Sequence, residues 1–356
     1  MSTNEMRKDY LIDRWVVIAT GRKRRPTDFI REREVRRGAV CPFCPGNEHM
    51  TPPAILVYIE SDGEIVKERD RDGFRHKGWL VRCIPNLYPA FTPPRVEGSE
   101  RDIEKKRWRD YTSRDALGHH EVVVESPNHD EHPGVARISQ LIHVINAYKD
   151  RFSQLIAKPY VGYVSIFRNH GVDAGASLSH AHTQIIATPT IPRLVGEELE
   201  AAREHYSKYS ECAFCSILER EREGPRFIWE NDSFIAFTPW ASIHPFEFWI
   251  FPRRHQGVIT DMTETETEDL ALAMRVCLGA LNRLLNDPSY NFGFHMVPDA
   301  AYHWHIEVYP RLAIWAGFEK STGVYINVMS PEAAAVNLRE AAEREEEALT
   351  GSQRHL

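Results

Sequence analysis

The 356-residue chain has no excess of positive charge: 44 lysines and arginines face 51 aspartates and glutamates, for a formal net charge of −7. That argues against a general nucleic-acid binder, which presents a basic surface. Any phosphate ligand must be held by local dipoles and a few chosen side chains. No apolar run approaches the ~20 residues that a bilayer span needs. The N-terminal MSTNEMRKDY lacks a basic-then-apolar leader pattern. A cytoplasmic protein without membrane contact is expected. Cysteine is scarce, and six residues in a chain this long do not suggest a disulfide framework. Four of the six form two C-x-x-C pairs, Cys41/Cys44 and Cys212/Cys215, which point to metal or redox chemistry. Cys83 and Cys277 read as small core residues.

What is present supports a folded chain: 42% hydrophobic and 10% aromatic residues supply a core. The length suits two domains, or one domain built from two similar halves. The order of landmarks favours a duplication. Strand-like segments AILVYIE, GWLVRCI and HHEVVVESP precede a helix-patterned stretch near 138–157, and YVGYVSIF and HAHTQIIA follow it. The second half repeats the order with RFIWE, SFIAFTP and FEFWIFP, a helix near 266–285, then NFGFHMV and HWHIEVY. Cys41-Pro-Phe-Cys44 matches Cys212-Ala-Phe-Cys215, His129 matches His255, and His180-Ala-His182 matches His303-Trp-His305. From His129 to His180 is 51 residues, and from His255 to His303 is 48. Long-period self-similarity of this kind marks a repeated structural unit. The expected division is 1–195, 196–335 and a helical tail at 336–356, whose AAAVNLREAAEREEEAL reads as a solvated helix.

A structural zinc takes four ligands, commonly two thiolates and two imidazoles. The repeat selects Cys41, Cys44, His129 and His180 for one site, and Cys212, Cys215, His255 and His303 for another, giving two zinc ions per chain. A redox C-x-x-C is the rival; it would open a helix, which the proline-rich CPFCPGN does not. His49, His119, His120, His132, His143 and His205 read as ordinary hydrogen-bonded residues.

The segment from Gly175 to Gln184, GASLSHAHTQ, is the expected chemical centre. Small residues let a backbone approach a phosphate closely. In the strand that follows, alternate residues share a face, so His180, His182 and Gln184 project together. His180 can hold metal, His182 can attack phosphorus, and Gln184 can donate to a phosphoryl oxygen. A neutral imidazole with one nitrogen free is a competent nucleophile, and a covalent nucleotidyl-histidine permits ping-pong transfer. In the second copy Glu307 replaces the glutamine, and a carboxylate repels phosphate. The second half is therefore expected to be catalytically silent.

CPFCPGNE, ESPNHD, FRNHGVDAGASLSHAHTQ and YHWHIEVYPR together resemble the galactose-1-phosphate uridylyltransferase family of the histidine-triad superfamily, over roughly residues 7–335. The resemblance implies an α+β fold, a duplicated histidine-triad unit of antiparallel sheets with flanking helices, commonly a homodimer. It implies a uridylyl- or adenylyl-histidine on His182, with Asn169, Ser177 and Gln184 contacting phosphates. Asn86 matches a nucleotide-contacting asparagine and Arg25 an arginine near the phosphates. Glu319, with Asn327, falls where a sugar-hydroxyl acceptor is expected. The principal expectation is UDP-glucose–hexose-1-phosphate uridylyl transfer. Four departures point instead toward relatives resembling plant ADP-glucose phosphorylase, which pass a nucleotide to phosphate: HAH for the usual HPH, Leu87 after Asn86, the C-terminal stretch from Gly317 to Asn327, and the second cysteine pair. A non-catalytic zinc-stapled binding module is the remaining alternative. The expected partners are a nucleotide sugar and a sugar 1-phosphate or phosphate.

Overall fold

The computed structural model describes residues 4–19, 26–30, 40–94, 106–108, 111–113 and 115–353. Two short strands come first, β1 (Glu5–Lys8) and β2 (Trp15–Ile18). The first half supplies β3 (Leu56–Ser61), β4 (Glu64–Glu68), β5 (Trp79–Pro85), a hairpin of β6 (Lys106–Trp108) and β7 (Tyr111–Ser113), and β8 (His119–Val124). Helix α1 (Ile138–Ile156) leads to β9 (Tyr163–His170) and β10 (His182–Thr188). Helices α2 (Arg193–Tyr209) and α3 (Ala213–Arg222) open the second half, before β11 (Phe227–Glu230), β12 (Phe234–Phe237) and β13 (Phe248–Pro252). Then come α4 (Glu264–Leu285), β14 (Tyr290–His295) and β15 (His305–Pro310). The chain ends with α5 (Gly317–Thr322), β16 (Tyr325–Asn327) and α6 (Pro331–Gln353).

The expected α+β architecture is present, and the two copies share a single sheet. Eleven strands run in the order β11-β12-β13-β15-β14-β9-β10-β8-β5-β3-β4, and every pair is antiparallel. Read outward from the central β9–β14 pair, β9, β10, β8, β5 and β3 of one half correspond to β14, β15, β13, β12 and β11 of the other. A smaller sheet joins β1, β2 and β16.

Alternation along each strand gives this sheet two different faces. One packs on α1, α4 and α6. Leu141, Ile145, Phe152 and Leu155 of α1 meet Leu270, Met274, Leu278 and Leu281 of α4 in one core spanning both halves. Each such side chain stabilises the fold by roughly 1.5–3 kcal/mol on burial. Helix α4 begins two residues before the expected start near 266 because Thr263 and Glu266 form a capping box: Thr263 Oγ1 accepts from the Glu266 N–H, and Glu266 accepts from the Thr263 N–H. The opposite face is covered in the second half by α2 and α3, through Val195, Leu199, Phe214 and Leu218. In the first half no helix among the described residues covers it. The division expected at 195/196 thus falls inside the first turn of α2, which packs with the second half.

The C-terminal helix differs from the solvated tail expected of it. Ala334, Ala335, Leu338, Ala341 and Ala342 are buried in the shared core, and Glu345 accepts from Arg275 and Arg283 of α4. Small alanines let the two helices approach at Gly279, where an added Cβ would lie 2.8 Å from Glu345 Cγ. A sequence dense in Glu and Arg hides this stripe because its apolar members are mostly alanine. Among the described residues, no helix is long and apolar enough to cross a membrane.

Candidate active site and metal centres

The C-x-x-C turn at Cys41–Cys44 lies over the uncovered face of the first half. Cys44 N donates to Cys41 O, and Gly46 takes the left-handed backbone (φ +95°) that lets the chain leave the turn. His129, just past β8, and His180, just before β10, close on this turn. Cys44 Sγ lies 3.3 Å from His129 Nδ1, and Cys41 Sγ and Cys44 Sγ each lie 3.6 Å from His180 Nδ1. For Zn–S near 2.3 Å and Zn–N near 2.0 Å, tetrahedral edges of about 3.5 Å are expected, so the donor set fits. The far ring nitrogens are held as well: His129 Nε2 bonds Ser179 Oγ and His180 Nε2 bonds the Ser126 carbonyl, both at 2.8 Å.

Cys212, Cys215, His255 and His303 gather in the same way, their ligand atoms all within 4.8 Å of one another. Cys215 Sγ lies 3.5 Å from both His255 Nδ1 and His303 Nδ1. Unlike the first pair, this one opens a helix, with Cys212 as the N-cap of α3, the placement expected of a redox pair. Two imidazole nitrogens turned onto one sulfur favour the metal reading. A bond from Cys215, opposed by burial, holds the Cys212 thiol down near 4, where it is a ready thiolate ligand.

His182 heads β10. Its side chain shares the uncovered face with Gln184 and, through the registers His182↔Val124 and Gln184↔Val122, with His120 on β8. The His182 ring packs edge-on against Phe43 of the cysteine turn, 5.5 Å between centroids, and is 7% exposed. Its Nδ1 lies 2.8 Å from the His180 carbonyl oxygen, which places the N–H there and leaves Nε2 with its lone pair. Burial, joined by the charge of Arg168, lowers the pKa of His182 and favours the neutral ring. A candidate metal ligand and the candidate nucleophile are thus joined through one backbone carbonyl.

Below the strand, on the helix face, lies a buried polar network. Arg168 NH1 pairs with Glu125 and donates to the His182 carbonyl, while NH2 lies 2.7 Å from His132 Nδ1. Glu125 also receives Thr183 and Tyr148. His132 was expected to be an ordinary residue, and the structure makes it part of this support. Breaking such a buried pair is costly because it strands a charge.

The remaining expected residues fall in three places. Asn169 and Ser177 line a cavity of about 730 Å³ with His129, His180, Arg168 and Arg311; Asn169 Oδ1 accepts from Asn291 Nδ2 of the second half. Asn86 and Gln184 converge on His120, which the sequence had left among the ordinary histidines. His120 stands on the shared face of β8, two residues along the strand from Val122, the register partner of Gln184. Glu319 and Asn327 do not join the cavity lining. Glu319 caps α5 by accepting from the Ala316 N–H. Asn327 is corrected to a structural residue: it is 1% exposed, donates to the Ser242 and His244 carbonyls and accepts from the Met329 N–H. Arg25 and the basic stretch around it lie outside the described residues.

The second copy carries different chemistry on the same scaffold. Register places Glu307 where Gln184 stands and His295 where Asn169 stands. There His295 forms an ion pair, its Nδ1 3.0 Å from Glu198 Oε2, and His305 Nε2 lies 3.4 Å from Glu307 Oε1. Phe251, Phe214 and Tyr302 surround His305, which is 1% exposed. The nitrogen equivalent to the free Nε2 of His182 is therefore both paired and covered.

Comparison with known proteins agrees with this geometry. Residues 129–352 match the family described as a domain of unknown function, DUF4921. The chain is 31% identical to ADP-glucose phosphorylase of Arabidopsis thaliana, over 95% of this chain and 93% of that one. It is 28% identical to galactose-1-phosphate uridylyltransferase of Thermotoga maritima, over 94% and 98%. Among solved structures, Arabidopsis ADP-glucose phosphorylase with bound ADP-glucose superposes with a TM-score of 0.77 at 29% identity, covering 95% of this chain and 99% of that one. A uridylyltransferase structure superposes with a TM-score of 0.72 at 27% identity, covering 96% and 99%. The chain belongs to the DUF4921 family and to the wider family of galactose-1-phosphate uridylyltransferases and ADP-glucose phosphorylases, and it is an enzyme of the nucleotidyltransferase type.

Proposed function

We propose that the enzyme transfers a nucleoside monophosphate from a nucleotide sugar through a covalent bond to His182. The observation that carries this is the 2.8 Å contact from His182 Nδ1 to the His180 carbonyl, which leaves Nε2 unprotonated. That nitrogen forms a bond to the α-phosphorus as the bond to the bridging oxygen breaks, and the electron pair departs with the sugar 1-phosphate. The Nδ1–H stays bonded to the carbonyl, which stabilises the positive ring of the adduct. The acceptor then attacks phosphorus and returns the pair to Nε2. Gln184 and Asn169 donate to phosphoryl oxygens, with Ser177 beside them. The two Cys₂His₂ sets hold zinc as structural staples, and Cys41, Cys44, His129 and His180 fix the strand that carries His182.

For the donor, support leans to ADP-glucose with inorganic phosphate as acceptor. The Arabidopsis relative of that name matches at 31% identity, against 28% for the uridylyltransferase, and its structure holds ADP-glucose. Leu87 after Asn86 and the second cysteine pair agree. The second reading, UDP-glucose with a sugar 1-phosphate, rests on the uridylyltransferase relatives. A homodimer is proposed from Ile314 (84% exposed) and Phe318 (51%) beside Glu319, an apolar edge that a second copy would cover. All six cysteines are unpaired, which suits a cytoplasmic setting. The test is to incubate the enzyme with each nucleotide sugar labelled at the α-phosphate and count label on alkali-denatured protein. Label from ADP-glucose, absent in His182→Asn, is expected; label from UDP-glucose alone would reverse the donor. No label from either, or label on another residue, would end the proposal.

A further inference from the structure

Gln184 can help a phosphate only if the amide end facing the ligand is its NH₂. Nothing in an amide's shape fixes that choice; a neighbour of known polarity must do so. His120 lies on the adjacent strand with its ring between two backbone-anchored elements. Its Nδ1 lies 3.1 Å from the Ala90 N and faces that N–H, so Nδ1 must be the accepting nitrogen. The proton then sits on Nε2, 2.8 Å from Gln184 Oε1. The backbone secures the same strand-to-loop junction, with Asn86 N donating to the His120 carbonyl at 2.8 Å. The glycine two residues earlier is required by this packing: Gly118 has φ +149°, and a Cβ there would lie 2.0 Å from the Ala187 carbonyl oxygen.

We propose that His120 is a positioning residue that polarises the Gln184 amide, turning its NH₂ toward an anionic nucleotide. Gln184 is oriented directly, since its oxygen receives the Nε2 proton. Asn86 is set by its own loop: its Oδ1 accepts from the Tyr88 N–H at 2.8 Å, and its Nδ2 lies 3.1 Å from His120 Nε2. The second half supplies a comparison on the same scaffold. Register puts Glu247 in the place of His120. It also holds its preceding loop, its Oε2 accepting from the Ile243 and His244 N–H groups, but its Oε1 accepts from Trp249 Nε1 and no glutamine stands opposite. The loop-holding role is shared between halves; the donor role belongs to the first half alone.

This inference rests on the covalent role of His182, and the experiment separates the two. Single-turnover rates of label transfer from ADP-glucose and from UDP-glucose are measured for the wild type, His120→Phe, His120→Gln, Gln184→Ala and the double variant His120→Phe/Gln184→Ala. His120→Phe keeps the ring's packing and is expected to slow adduct formation about 10–100-fold, less than the roughly 100–1000-fold for losing a preorganised donor outright, because Gln184 remains but is free to turn. His120→Gln, whose NH₂ can replace Nε2–H, is expected to recover most of the rate. In the Gln184→Ala background the His120→Phe change should cost much less than it does alone. Wild-type rates in His120→Phe, no recovery in His120→Gln, or fully additive losses would each overturn the positioning role. Should the wild type itself form no adduct, the reading of His182 fails first.

Discussion

At the scale of single residues, the decisive feature is an imidazole kept neutral. Burial, reinforced by the charge of Arg168, outweighs the His180 carbonyl and lowers the pKa of His182 from its usual 6.5. Attack requires the unprotonated ring, so activity falls only as pH drops through this depressed value. The acid limb of kcat/KM is expected to have its midpoint below pH 6.5. A pH–rate profile with a midpoint at or above 6.5 would show that the free enzyme does not hold the ring neutral. Asn86 and Gln184 were visible in the sequence because short motifs carry them. His120 was not, since its role depends on a register between β8 and β10 that no local pattern states. Asn327 misled for the opposite reason: its place in a motif says nothing of the three internal bonds that occupy it.

At the scale of elements, the repeat was legible because chemistry-bearing side chains fall at the same strand ends in both halves, and strand period and helix stripe sufficed to place β8, β10, α1 and α4. The C-terminal helix was illegible in its packing because alanine contributes little to an apolar pattern yet permits close approach. The two cysteine sites illustrate how the surrounding elements set strength. In the first, both histidines have their far nitrogens bonded, to Ser179 and to the Ser126 carbonyl. In the second, His255 Nε2 bonds the Ala300 carbonyl at 3.0 Å but its ring is exposed, and His303 Nε2 is buried without a partner among the described residues. Outer partners of this kind are worth about 10–100-fold in metal affinity. Elemental analysis is expected to give two zinc ions per chain, released in two phases by a graded chelator. His255→Ala should abolish the early phase and His180→Ala the late one. A single zinc in the wild type would remove the second site, and simultaneous release would remove the argument from the outer partners.

At the scale of the whole molecule, one sheet carries the candidate site in one half and a closed charge cluster in the other, so under the proposed mechanism the second copy contributes stability where the first contributes chemistry. His295 lies on β14, which pairs with β9 at the centre of the sheet, and Glu198 reaches it from α2. Burial alone would keep His295 neutral; Glu198 and Glu307 prevail and push it up to about 9. The sign follows from linkage. A group whose folded pKa exceeds its unfolded value stabilises fully below the unfolded value, near 6.5, and loses that contribution as pH rises through about 9. The amount at stake is ~3 kcal/mol at most, by the usual conversion of a pKa difference. Thermal unfolding followed from pH 6 to pH 9.5 should therefore show a decline in the wild type that is much shallower in His295→Gln, which cannot take up a proton. Both proteins would retain their zinc ligands, so metal loss cannot produce the difference. Parallel declines would mean that the cluster is not charged in the fold, and the second copy's silence would then rest on the cover of α2 and α3 alone.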